Sequence, residues 1–258
     1  MKKLISLLVL AILTLGIIGC DFEVGITNRE KSNISKINES IKISGVEKIK
    51  ISIEVGKLNI EKYDGDELKI KGDLKKKCKK YSIKDEDGTI DVKIKTYNKY
   101  VKFSSNQEPE VTVLIPEKYT EDLYISTGVG ESEIKDVVAK NIEVKAGAGD
   151  LTISNIGFKN LKFSAGVGQS NINLGKNTGD IEIKGGVGEI DMKLEEVNGN
   201  LSCSCGIGQT RIKIPENAPV KFNEKSGLGD CNITAVTSGE DLFEYDLKVG
   251  VGEIEVYN

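Results

Sequence analysis

A seven-fold recurrence of Gly-x-Gly constrains the fold of this chain more than any other feature. The copies are Gly128-Val129-Gly130, Gly147-Ala148-Gly149, Gly166-Val167-Gly168 and Gly186-Val187-Gly188, followed by Gly206-Ile207-Gly208, Gly227-Leu228-Gly229 and Gly250-Val251-Gly252. Their first glycines are 19, 19, 20, 20, 21 and 23 residues apart. A fixed period of this length marks an array of short units, none of which can bury an apolar face alone.

The columns around the motif give the local structure. Five residues before the first glycine stand Leu123, Ile142, Leu161, Ile181, Leu201, Phe222 and Tyr245. Three before it stand Ile125, Val144, Phe163, Ile183, Cys203, Glu224 and Leu247, with polar residues such as Glu143 and Lys184 between. This period-2 alternation predicts strands with one buried face. After the motif comes an apolar column, Ile134, Ile153, Ile172, Met192, Ile212, Ile233 and Val256, at an odd step from the apolar middle residue. With that middle residue assigned to the inward set before it, the alternation slips between the second glycine and the acid that follows. All fourteen glycines are then read as corner residues, because glycine reaches the φ > 0 conformations a bend demands.

Each unit reads as strand, glycine corner, strand and polar turn, the turns including Asn177-Thr178-Gly179-Asp180 and Asn198-Gly199-Asn200. The expected fold is all-β: a right-handed parallel β-helix-like solenoid of about seven rungs, 19–23 residues each, over residues 121–258. Stacked hairpins or a propeller with undersized blades are the alternatives. Residues 41–120 carry the theme irregularly and are expected to form a β-rich N-terminal cap. Within them Ile51 to Ile60 resembles a degenerate rung around Gly56, and Asp87-Gly88 is a hairpin signal.

The N-terminus reads as targeting sequence. Lys2 and Lys3 precede an apolar run from Leu4 to Ile18, too short for a comfortable membrane span. Ile17-Ile18-Gly19-Cys20 resembles a bacterial lipobox. The expectation is a signal peptide at 1–19 and lipidation of Cys20, with 20–40 a flexible tether to the bacterial membrane on its extracytoplasmic face. An uncleaved anchor or a plain secretory signal is the competing reading. Lipobox, aliphatic strand Val111-Thr112-Val113-Leu114-Ile115-Pro116 and Gly-x-Gly-acid repeats together resemble the β-strand-repeat family of candidate adhesins, also called toastrack domains. The resemblance implies a β-helix-like fold at the bacterial envelope, with some members beside envelope-stress sensing systems. It supplies no catalytic residues.

Composition narrows the chemistry. Histidine is absent, so Ser-His-Asp, Cys-His and His-ligated metal chemistry are outside this chain's reach. Arginine occurs only at Arg29 and Arg211. Removing Lys2 and Lys3 takes the net charge from −4 to −6, without the basic stripe of a nucleic-acid binder. The RTX calcium motif needs a nine-residue period and fails here, and a phosphate loop needs a helix after its glycines. No cofactor or metal is expected, nor an enzyme, since near-minimal units leave no long loops to build a catalytic groove.

The residue after each second glycine forms a polar column: Glu131, Asp150, Gln169, Glu189, Gln209, Asp230 and Glu253. It reads either as solvated side chains at exposed corners or as an outer stripe that binds a cation or partner. Beyond Cys20 the cysteines are Cys78, Cys203, Cys205 and Cys231. Cys203 and Cys205 fall in inward columns as small apolar fillers, or as partners for a bridge to Cys231 on the next rung. The functional expectation is a lipid-anchored binding or scaffolding module for an envelope or surface protein or a polysaccharide. An accessory to an envelope-stress sensor is the alternative, and a polysaccharide-acting enzyme a lesser one.

Overall fold

The computed structural model describes residues 29–32, 35–74, 78–96 and 108–258. The signal peptide, Cys20 and residues 21–28 of the tether lie outside the described residues. The described residues are all-β, and their strands join in one long, mostly parallel sheet.

Five repeat strands form the middle. β9 (Asp122–Lys135), β10 (Asn141–Ser154), β11 (Asn160–Leu174), β12 (Asp180–Leu194) and β13 (Leu201–Lys213) lie side by side in chain order, all parallel. The register matches like with like: Ile142 pairs Leu123 and Leu161, and Gly149 pairs Gly130 and Gly168. Each strand turns the corner with its pairing interrupted only at the first glycine, so one strand supplies two sides of the core. The linking segment supplies a third, through Val137, Ala139, Ile156 and Phe158, all buried. Its backbone bonds also run between levels, from Ala139 N–H to the Gly157 carbonyl and from Phe158 N–H to that of Asn177. Asp136 and Asn155 make the second bend at φ 58° and 50°, a left-handed conformation that Asp and Asn tolerate better than other side chains.

At the C-terminal end the order of strands leaves the order of the sequence. β16 (Phe243–Tyr257) pairs with β13, while β14 (Val220–Ser226) and β15 (Asp230–Ile233) lie on its far side. Composition explains the exchange. β16 presents Tyr245, Leu247, Val249, Ile254 and Val256 inward, all buried. β14 carries Glu224 in the column where its neighbours have Cys203 and Leu247. Between those two the carboxylate would be desolvated, whereas at the open end it is exposed.

The N-terminal end repeats the device. β3 (Lys48–Val55) and β4 (Lys57–Tyr63) bend around Gly56 and pair in parallel with β9. β7 (Thr89–Thr96) and β8 (Glu110–Pro116), later in sequence, lie outside them. Antiparallel strands then close the stack: β6 (Cys78–Glu86) on β7 and β5 (Glu67–Asp73) on β8. The β6–β7 hairpin turns at Asp87 and Gly88, with φ 50° and 68°, the paired left-handed residues of a type I′ turn. β1 (Arg29–Ser32) pairs with β6 and β2 (Lys36–Lys42) with β5.

Three expectations need correction. Residues 20–40 are not tether throughout, since β1 and part of β2 fall within them; Ile37 and Ile41 bury one face of β2, a short alternation masked by polar neighbours. Gly227-Leu228-Gly229 is no continuous corner: the strand breaks between β14 and β15, and Gly229 has no positive φ. Cys231 is not on the level next to Cys203 and Cys205, because β16 lies between. Two strand spacings, about 9.6 Å, exceed the ~7 Å Cα limit for a disulfide, and all three cysteines are free.

Candidate functional site at the glycine corner

The corner is built by backbone proximity. A Cβ on Gly147 would lie 2.2 Å from the Gly128 carbonyl oxygen, and one on Gly149 would lie 2.0 Å from that of Gly130. The same approach recurs at Gly166 and Gly168, Gly186 and Gly188, Gly206 and Gly208, and Gly250 and Gly252, always against the neighbouring level. Gly128 and Gly130 meet Glu54 and Gly56 in this way. The side-chain direction at both glycines therefore points along the stack, where only hydrogen fits. The second glycine also takes φ between 130° and 141° in these copies.

This geometry reverses one expectation. The middle residue is not inward: Val167 is 57 % exposed, Ile207 54 % and Leu228 90 %. With both glycines turned along the stack, the slip in alternation falls at the first glycine, and the register skips that residue in every repeat pair. The middle residue becomes the apex of a convex edge. Inward pointing resumes one residue after the acid, at Ser132, Leu151, Ser170, Ile190, Thr210 and Ile254, all buried.

Stacked apices form an exposed apolar ridge, and a polar column flanks it on either side. On one side stand Glu131, Asp150, Gln169, Glu189, Gln209, Glu253 and Asp230, in that spatial order. Neighbours along it touch: Gln169 donates to Glu189 at 3.5 Å and Gln209 to Glu253 at 3.2 Å. Arg211 ties the column to the next one outward, donating to Gln209 at 2.5 Å and Asp191 at 3.1 Å. Lys57 extends the column past Glu131 and bonds it at 2.5 Å.

Two residues before each first glycine lies the opposite column, where lysine and serine interchange with the acids and amides across the ridge. Asp150, Glu189, Glu253 and Asp230 share their levels with Lys145, Lys184, Lys248 and Lys225. Gln169 and Gln209 share theirs with Ser164 and Ser204. Glu131 faces Ser126 and is the acid already bonded by Lys57. Lys145 and Lys184 bond Glu143 and Glu182 on their own side, at 2.7 and 2.6 Å.

A second set of side-chain contacts, missed in the sequence, lies where β9 to β13 begin. Asn141 donates to Asp122 at 2.7 Å, Asn160 to Asn141 at 2.8 Å, and Asn200 to Asp180 through both backbone and side chain. The signal was present as Asx six residues before the first glycine in the first five repeats, hidden because Asx also marks turns. Among the thiols, burial pushes Cys203 up to about 12 and Cys231 up to about 11, so both are protonated and weakly nucleophilic at neutral pH.

Gly-x-Gly corners stacked in register through a parallel all-β sheet define a β-strand-repeat protein. The chain belongs to the Toastrack DUF4097 family, which matches residues 46–173 and again 126–252. No curated protein matches it. Solved structures similar to it include a provisionally designated cell adhesion protein from Clostridium sporogenes, at 19 % identity, covering 89 % of this chain and 99 % of that one, with TM-score 0.40. A provisionally designated adhesin from Bacteroides fragilis is similar at 16 % identity, with coverage of 86 % and 96 % and TM-score 0.48.

Proposed function

We propose that the chain is a lipid-anchored protein of the bacterial membrane, held on its extracytoplasmic face through Cys20. In this reading its repeats wind as a right-handed coil of about seven rungs and serve as a binding or scaffolding surface, not a catalytic one. The observation that carries the reading is the continuity of the outer faces. Segments between β9 and β13 are five or six residues long, so no long excursion interrupts the polar columns or builds a lidded cleft. A surface of this kind suits repeated weak contacts with an extended partner, whose contributions multiply when they act together. The partner is an envelope or surface protein or a polysaccharide, and adhesion is the role proposed.

Fractionation and binding test the two halves separately. The full chain should sediment with membranes and Cys20→Ala should leave them; a variant that stays membrane-bound overturns the anchor. The wild-type protein should retain peptidoglycan, matrix protein or whole cells in a pulldown. Binding to none of these rejects adhesion, and capture of a membrane sensor kinase alone would replace it with a stress-sensing role.

A further inference from the structure

We infer that the glycine corner is a self-association surface, on which two copies of this chain pack ridge to ridge, side by side and pointing the same way. The ridge and the charge pattern beside it carry this without the lipid anchor, and the outer faces away from this edge stay free for the partner proposed above.

The first observation is the ridge. Val129, Val167, Val187, Ile207 and Val251 are 38–57 % exposed, and they lie on one line. Scattered exposed apolar residues are ordinary on protein surfaces, but a contiguous stripe rimmed by polar columns marks a contact face. Nothing about the corner itself calls for apolar apices. The glycines alone make the bend, and an outward apex would accept serine or lysine without strain.

The second observation says what covers the ridge. A two-fold axis parallel to the stack sets each level against the same level of the partner and exchanges the two flanks. The acid or amide column of one copy then faces the lysine or serine column of the other. Asp150 meets the partner's Lys145, Glu189 meets the partner's Lys184, and Glu253 meets the partner's Lys248. Gln169 and Gln209 meet serines of the partner. Acid goes with lysine and amide with serine at every level except that of Glu131, whose carboxylate Lys57 already holds.

The alternative two-fold axis, perpendicular to the stack, opposes like columns and sets acid against acid. Charge therefore selects the parallel arrangement. Within one chain these matched residues sit on either side of the apex, and no ion pair joins them among the described residues. Lys145 and Lys184 bond Glu143 and Glu182 on their own flank, but no contact within the described residues uses their match to the acids across the ridge. A lipid surface is a poorer occupant, because it would desolvate the acid column as well as the ridge.

Cross-linking of the full chain tests the arrangement, with the unsubstituted chain as the control for its own cysteines. Val129→Cys and Val251→Cys lie near opposite ends of the ridge, about 24 Å apart at strand spacing. With a short bismaleimide, each single variant should cross-link to itself. Cross-linking only in a mixture of the two would mean antiparallel packing, and none in either variant would mean no ridge contact; both overturn the proposal. Charge exchange supplies a second measure. Lys184→Glu sets Glu against the partner's Glu189 twice per dimer and should weaken association about tenfold. Adding Glu189→Lys should restore it. Equal weakening by the double variant, at unchanged circular dichroism, overturns the pairing.

Discussion

Gly188 experiences two constraints at once, and they can be separated by substitution. Its φ is +141°, and an added Cβ would lie 2.0 Å from the Gly168 carbonyl oxygen. Gly45 has φ +75° with nothing within 4 Å of the same position. Gly45→Ala should then cost about 1–2 kcal/mol, the left-handed penalty alone. Gly188→Ala adds a backbone collision that no rotamer relieves, and about 3 kcal/mol or more is expected. Chemical denaturation of both variants measures the difference, and equal costs would remove the close approach as the reason for the motif. Glu39 gives the pH counterpart. Burial opposes its ionisation, but hydrogen bonds from Tyr81 at 2.5 Å, Arg29 at 2.5 Å and Lys31 at 3.1 Å outweigh that and hold its pKa below the usual carboxylate range. A depressed carboxylate stabilises the fold above its unfolded pKa of about 4.3 and loses that contribution as pH falls through the folded value. Glu39→Gln should cost about 1–2 kcal/mol at neutral pH, and the gap to wild type should close below pH ~4. A gap independent of pH would show that packing, not charge, is what Glu39 contributes.

At the scale of elements, β16 decides whether the C-terminal end exists. Among the described residues, β14 and β15 pair with the rest of the sheet only through it. A chain ending at Leu242 should lose amide protection across 220–233 while β10 and β11 keep theirs, as hydrogen exchange would report. Retained protection at 220–226 would mean that β14 can pair with β13 directly, with Glu224 accommodated beside Cys203. The sequence carried the strand alternation and the degenerate level at Gly56, because each rests on local periodicity; the same periodicity put a corner at Gly227 and Gly229, where the strand in fact breaks. It could not carry the exchange of order at the two ends. That choice depends on which strand can bear burial on both sides, and a single polar residue such as Glu224 settles it. The outward apex was equally hidden. Valine and isoleucine at a fixed position read as core, and only the axial direction of the flanking glycines shows that they point to solvent.

For the whole molecule, the two ends and the middle should fold at different times. β9 to β13 add one neighbour at a time in chain order, so each new contact closes a loop of about one repeat. Both ends instead place a sequence-distant strand inside the stack, which costs more loop entropy before any contact forms. The nucleus is therefore expected among β10, β11 and β12, with β16 docking after the transition state. Val144 in β10 and Val256 in β16 are both fully buried, and truncating either to alanine should cost about 2 kcal/mol. In stopped-flow experiments Val144→Ala should slow refolding by most of that amount, roughly tenfold or more, and leave unfolding nearly unchanged. Val256→Ala should do the reverse, accelerating unfolding at a near wild-type refolding rate. A high φ-value at Val256 would place the inserted strand in the nucleus. The stack would then have to assemble from its C-terminal end, with β16 seated before the repeats it completes.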